Sequence, residues 1–300
     1  MRPRPDLRRV FDVRGSAGEV RDVLQKDYAL SYVLAGIASV PDLYNIALFK
    51  GGTSLRKAYF EKYRFSVDLD YTLTKRLPCD QIKAYIVAAA RRAQDLLQER
   101  GDFALEVRDV PHRDEHEHGQ CEFKIAVRFP WMRAVTTCVL KIELLPSPPE
   151  VIVGTPQERD LLHSGFNEEL SAKMLCYELR EIVAEKLRGF LQTRRRFDEM
   201  AAGKRTFTRS RPRDLFDLAQ LYQQTTYSID WASVRGFLEP KANAYGITID
   251  GPEDFLDSRV LDDMNRNWNG QLEDFIRPLP TFEECLAVHK ELLGKVFGQR

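Results

Sequence analysis

Apolar residues alternate with polar ones through Val67 to Leu73, so that Val67, Leu69, Tyr71 and Leu73 share one face and Asp68 and Asp70 the other. Upstream, Asn45 to Phe49 reads as a short apolar strand, Gly51-Gly52 as a turn, and Thr53 to Phe60 as the start of a helix. A helix is expected from Ser16, which stands at capping-box spacing from Glu19, to about Ser39. Its apolar members are Val20, Leu24, Tyr28, Leu30, Val33, Leu34 and Ile37, and Pro41-Asp42 ends it. Residues 1 to 15 read as a loosely ordered arm. Downstream, Pro78-Cys79-Asp80 caps a helix from about Gln81 to Glu99, and strands are expected at Phe103 to Val107, Cys121 to Phe129 and Thr136 to Leu145.

The proline cluster Leu145-Pro146-Ser147-Pro148-Pro149 can continue neither a ladder nor a helix, and sets an expected boundary between domains 1–150 and 151–300. Beyond it the pattern is mostly helical. A helix capped by Asn167 or Ser171 should run to about Gln192, and another should begin near Pro212. Further helices are expected around Trp231 to Leu238, Pro252 to Phe275 and Phe282 to Phe297. A loop with Pro240 and Gly246 and a strand-like Ile247 to Ile249 separate them. The fold class is therefore α+β, with a mainly helical C-terminal domain.

Composition narrows the picture modestly. The chain has 300 residues, and 45 basic side chains balance 45 acidic ones, so any polyanion partner must be met by a local patch. No apolar run is long enough to span a bilayer and the N-terminus lacks an apolar signal core, so a cytoplasmic protein is expected. The five cysteines show no ligand spacing and read as buried free thiols in a reducing compartment. His112, His116 and His118 are interleaved with acidic residues between Pro111 and Gly119, which suits a solvated loop better than a zinc site.

The chemistry concentrates around the first glycines. A glycine turn opening a helix brings backbone amides to an anion, and two carboxylates two residues apart on a strand suit a divalent cation. In the strand near Leu145, Lys141 and Glu143 face away from Cys138, Leu140, Ile142 and Leu144, which makes Glu143 the candidate third acid. Lys186 falls within the apolar stripe Leu179, Ile182, Val183, Leu187 and Phe190, where an ammonium needs a phosphate or carboxylate partner. From Lys186 to Arg213 there are ten Lys or Arg against Asp198 and Glu199. In that run Arg194, Arg195, Arg196, Lys204, Arg205 and Arg209 are candidates for contacts to a nucleic-acid backbone, with 197–210 read as a mobile loop.

The run KGGTSLRKAYFEKYRFSVDLDYTL resembles the signature of polymerase-beta-like nucleotidyltransferases, and more narrowly that of the AbiEii/MenT toxins. Ala184-Glu185-Lys186-Leu187-Arg188 and Arg213-Asp214-Leu215-Phe216-Asp217-Leu218 resemble two later motifs of that group. Gln25-Lys26-Asp27-Tyr28 is similar to an EKDY-type element, and equally reads as a solvated helix face. The resemblance implies a nucleotidyltransferase domain with a mixed sheet flanked by helices, followed by a helical domain that contributes Lys186 and Asp214. It implies that Asp68 and Asp70, with Glu143, hold magnesium, with manganese as the alternative. Gly52, Thr53, Ser54 and Ser66 would bind an NTP, and Lys57 or Arg56 would neutralise its phosphate. Lys186 would contact the triphosphate and Asp214, or alternatively Asp217, would orient it. The acceptor would be tRNA, and an antitoxin encoded alongside would restrain the enzyme. A phosphate on Ser66 would add negative charge beside the metal site and inactivate it. A small-molecule nucleotidyltransferase and a non-catalytic nucleotide- or RNA-binding module remain the alternatives.

Overall fold

A computed structural model describes residues 7–16, 20–110, 120–133, 138–146, 151–166, 168–206 and 209–298. The histidine-containing loop, Glu19, Asn167 and the prolines at 148 and 149 lie outside these residues.

Seven strands form one mixed sheet. In chain order they are β1 (Ala47–Lys50), β2 (Asp68–Leu73), β3 (Ala104–Asp109), β4 (Cys121–Arg128), β5 (Cys138–Pro146), β6 (Gln157–Asp160) and β7 (Lys173–Cys176). Their order across the sheet is β3-β4-β5-β2-β1-β7-β6. β2 runs antiparallel to β1 and parallel to β5, and β7 joins the other side of β1 in parallel. The alternation read from the sequence sets the faces: Leu69, Tyr71, Phe123, Ile125, Leu140 and Ile142 are all buried on one side. Two helices, α2 (Arg21–Ala38) and α5 (Cys79–Gln98), pack on each other and on strands β3, β4, β5 and β7. α3 (Pro41–Tyr44) precedes β1, and α4 (Gly51–Ser54) and a π-helical turn over Leu55–Tyr59 lie between β1 and β2.

Three expectations change here. The N-terminal arm contains a helix, α1 (Leu7–Ser16), because Phe11 is fully buried and meets Tyr28, Phe129 and Phe166 edge-on at 5.8, 5.8 and 5.9 Å. One aromatic anchor orders a segment whose composition looks solvated. Cys79 and Cys121 form a disulfide across 42 residues, while Cys138, Cys176 and Cys285 are free and buried. The spacing concealed the pair, because the start of α5 meets the start of β4 only in the folded chain. Finally, the segment after the prolines is not yet helical: β6 and β7 pair with each other and return to the sheet.

The chain accordingly divides into Met1–Glu150 with Pro156–Tyr177, and Val151–Thr155 with Glu178–Arg300. The second unit holds α6 (Leu179–Ala201), α7 (Pro212–Gln223), α8 (Val234–Asn243), α9 (Ser258–Arg266), α10 (Trp268–Leu272) and α11 (Phe282–Phe297), with short 3-10 turns at Trp231–Ser233 and Pro252–Phe255. α6 starts later than expected and continues through residues 197–201 of the anticipated loop. Pro240 lies inside α8, and 247–249 pairs with no strand. The α11 boundaries match the expectation because Thr281 and Glu284 form both halves of a capping box. Residues 151–155 belong to this unit because Glu181 accepts the amides of Val153 and Gly154 at 2.9 and 3.2 Å. Glu181 in turn is paired with the fully buried Lys241 at 3.0 Å.

Candidate active site

The turn favours glycine, most of all at position 51. Gly51 has φ +77, and a Cβ there would stand 2.4 Å from Oδ2 of Asp70; a Cβ on Gly52 would stand 2.4 Å from Nη2 of Arg64. The turn thus presses its backbone against a carboxylate and a guanidinium at once. Behind it, Ser54 donates to the Gly51 carbonyl at 2.8 Å. The Thr53 hydroxyl donates to the Asp68 carbonyl at 2.5 Å and lies 2.8 Å from Oγ of Ser66. Thr53 and Ser54 are fully buried: the Thr53 hydroxyl fastens the turn to β2, the Ser54 hydroxyl closes the turn on itself, and the backbone amides remain the groups suited to an anion.

Sheet register gathers the carboxylates. Asp68 stands opposite Lys141 and Asp70 opposite Glu143 across the parallel β2–β5 pair, so these four side chains share a face. Lys50 stands opposite Asp70 on the other side. Glu143 is held by Lys141, whose ammonium also lies 3.4 Å from Glu122. Among the described residues no group of three or more His, Cys, Asp or Glu side chains is gathered to hold a metal. The donor set nevertheless fits a hard cation such as magnesium. Such an ion takes one or two carboxylates and fills its remaining positions with water and substrate phosphate oxygens. Asp68 and Asp70 would supply that pair of carboxylates, and the cleared space at Gly51 leaves Asp70 against backbone with no intervening side chain.

The cations following the turn are placed differently from the expectation. Lys57 is 2 % exposed and bonded to Asp27 at 2.9 Å. Arg56 grips the same carboxylate with Nε at 2.7 Å and Nη2 at 3.3 Å. Burial pushes the Lys57 ammonium down to about 8 despite the neighbouring carboxylate. For Asp27, burial alone would raise the pKa, but Lys57 and Arg56 outweigh it and hold the carboxyl at about 2. Asp27 is therefore a buried anchor and not part of a solvated helix face. Arg64, to which the sequence reading gave no role, is the guanidinium at the turn. The glycine at position 52 is the one sequence signal that something bulky approaches there.

In the second unit, Lys186 is 5 % exposed and finds the carboxylate partner its apolar stripe demands. Its ammonium lies 2.6 Å from Asp217 and 3.1 Å from Asp214. Asp217 is fully buried, whereas Asp214 is 17 % exposed and also accepts from Arg211 at 3.2 Å. Burial opposes ionisation of Asp214, yet Lys186 and Arg211 prevail and hold its carboxyl below the usual range. Asp214 and Asp217 are thus not alternatives for Lys186; both hold it.

The basic run is more self-paired than its composition suggests. Arg194 pairs with Asp254, and Arg195 lies 3.1 Å from Glu199 and donates to the Tyr245 carbonyl at 2.7 Å. Arg205 lies 2.9 Å from Glu199, while Lys204 and Arg209 are exposed. Arg196 has its pKa lowered by burial first and then by the positive charges of Arg211, Arg205 and Arg209, with Glu199 opposing.

A family model for nucleotidyl transferase AbiEii toxins of type IV toxin–antitoxin systems matches residues 32–288. The fold is similar to that of MenT4, a nucleotidyltransferase toxin from Mycobacterium tuberculosis, with TM-score 0.60 and 19% identity over 94% of this chain and 86% of that one. It is also similar to JHP933 from Helicobacter pylori, with TM-score 0.52 and 15% identity over 93% of this chain and 95% of that one. No curated protein sequence matches the chain.

Proposed function

Because the chain belongs to the AbiEii nucleotidyltransferase toxins of type IV toxin–antitoxin systems, we propose that it transfers a nucleoside monophosphate from an NTP to the 3′ acceptor end of tRNA, blocking aminoacylation and translation. The observation that supports this reading most is the Gly51–Ser54 turn pressed against Asp70, with Asp68 and Asp70 on one sheet face. A turn of amides beside paired carboxylates suits an anionic triphosphate and its counter-cation together.

In this reading Asp68 and Asp70 hold magnesium or manganese, which when bound would neutralise the triphosphate and favour ionisation of the acceptor hydroxyl. Glu143, now paired with Lys141, would be the third oxygen donor. The amides of Gly52, Thr53 and Ser54 cradle phosphate, and Ser66 supports Thr53. Lys186, fixed between Asp214 and Asp217, presents an ammonium to an anionic substrate. Lys204 and Arg209, together with Arg196, are the cations best suited to meet a tRNA backbone. Substrates of this kind put the enzyme in the cytoplasm, and its toxicity calls for a cognate antitoxin.

The test is to incubate the full chain with each labelled NTP, magnesium and total tRNA, and to repeat it with Asp68→Ala. Label should enter tRNA with wild type and fall by at least about a hundredfold in the variant. Transfer that survives the substitution, or label appearing only on a small-molecule acceptor, would overturn the proposal.

A further inference from the structure

We propose that Asp27 is a positioning residue for nucleotide binding, acting through Arg56 to hold the 63–66 segment against the glycine turn. The proposal rests on the reading that the Gly51–Ser54 turn binds NTP, and is independent of the acceptor.

Residues 63–66 form neither helix nor strand, so no ladder or helical hydrogen bond fixes their course. Arg56 ties the segment down at two points, beside the stacking of Tyr63 on Phe60 at 5.5 Å. Its Nε and Nη2 take both oxygens of Asp27, its Nη1 donates to the Tyr63 carbonyl at 2.5 Å, and its guanidinium lies 3.9 Å from the Phe65 ring centroid. A planar fork bonded along two edges and stacked on a ring has little freedom left. The residues interleaved with these contacts are those that reach the turn. Arg64 fills the space that Gly52 leaves open, and Ser66 meets the Thr53 hydroxyl, which is bonded to the Asp68 carbonyl. One chain of contacts therefore runs from α2 to the backbone of Asp68.

Buried ion pairs often contribute no more than apolar packing of the same volume, and in some proteins they serve to fix geometry. Here two cations, Arg56 and Lys57, share the single carboxylate of Asp27, all three nearly or wholly buried. The surplus positive charge lies on the π-helical turn that directly continues Gly51–Ser54, where it favours an anionic ligand.

The experiment measures NTP affinity by calorimetry in the presence of magnesium, with the full chain and no tRNA. Asp27→Asn and Arg56→Lys should each weaken binding by at least about tenfold at a temperature where circular dichroism shows a folded protein. The double variant should bind no worse than the weaker single one, since both break the same link. Glu168→Gln is the control. That buried carboxylate accepts from Tyr32 and lies 2.9 Å from His163, so its loss should lower the melting temperature while NTP affinity stays within about twofold. Should Asp27→Asn fail to fold, Arg56→Lys decides by the same criterion, because it keeps the charge and removes the fork. Wild-type affinity in the folded variants would sink this proposal alone. Absence of NTP binding by the wild type would overturn the proposed function as well.

Discussion

At residue 51 backbone and chemistry are the same question. Gly51 is held at φ +77 and a methyl group there would meet the Asp70 carboxylate at 2.4 Å. Gly51→Ala combines left-handed strain with displacement of that carboxylate, so we expect a stability loss of about 1–3 kcal/mol. Transfer activity should fall much further than the unfolded fraction explains. Denaturant unfolding and single-turnover labelling on the same preparation check this; normal transfer at reduced stability would show that Asp70 is not displaced. The glycine turn was legible in the sequence, as was the strand face that Asp68 and Asp70 share. The pairing of Arg56 and Lys57 with Asp27 was not legible, because a cation beside a glycine motif looks the same whether it faces phosphate or a buried aspartate. The partner, Asp27, is 29 residues earlier in sequence.

At the scale of elements, α11 carries a pH dependence of its own. His289 is fully buried on it and stacks on Phe190 of α6 at 4.8 Å. Burial holds its imidazole neutral and pulls its pKa down to about 4 from 6.5. Between those values the unfolded chain binds a proton that the folded chain refuses, so its contribution is complete above pH 6.5 and lost as pH falls toward 4. The loss is on the order of 3 kcal/mol. Urea midpoints of the full chain should fall across that window, and His289→Leu should flatten the dependence there. An unchanged slope in the variant would assign the acid sensitivity to other groups. Element type was readable wherever a period or cap was strong, as in β2, β4 and α11. It failed at β6 and β7, four residues each, which alternate too briefly to signal a strand and exist because β1 has an open side.

On the scale of the whole molecule, one covalent link and two compact units matter. The Cys79–Cys121 disulfide closes a loop of 42 residues within the first unit, from the start of α5 to the start of β4. Loop-closure entropy of that size corresponds to about 2–4 kcal/mol. Adding reductant should lower the denaturation midpoint of the oxidised protein accordingly, and Cys79→Ser should show the lower midpoint without reductant. Identical midpoints in all three conditions would mean that the link adds nothing. The second unit has its own interior, including the buried Lys241 with Glu181 and Glu185. No helix among the described residues is long and apolar enough to cross a membrane.

The sequence by itself determined the glycine turn, the two aspartates on one strand face, a lysine in an apolar stripe that required a partner, and the family to which these motifs belong. Each is a local pattern, fixed by φ/ψ limits, by strand alternation or by the cost of burying a charge. Tertiary structure decided which cations are spent inside the protein, and that Asp214 and Asp217 hold Lys186 together. It also turned two scattered cysteines into a bond and gave Gly52 its neighbour, Arg64. These depend on contacts between residues far apart in the chain, and such contacts leave no period or spacing to read. The opening motif accordingly divides in two: Gly51 packs against Asp70 on the strand face it shares with Asp68, whereas Arg56 and Lys57 turn to the buried Asp27.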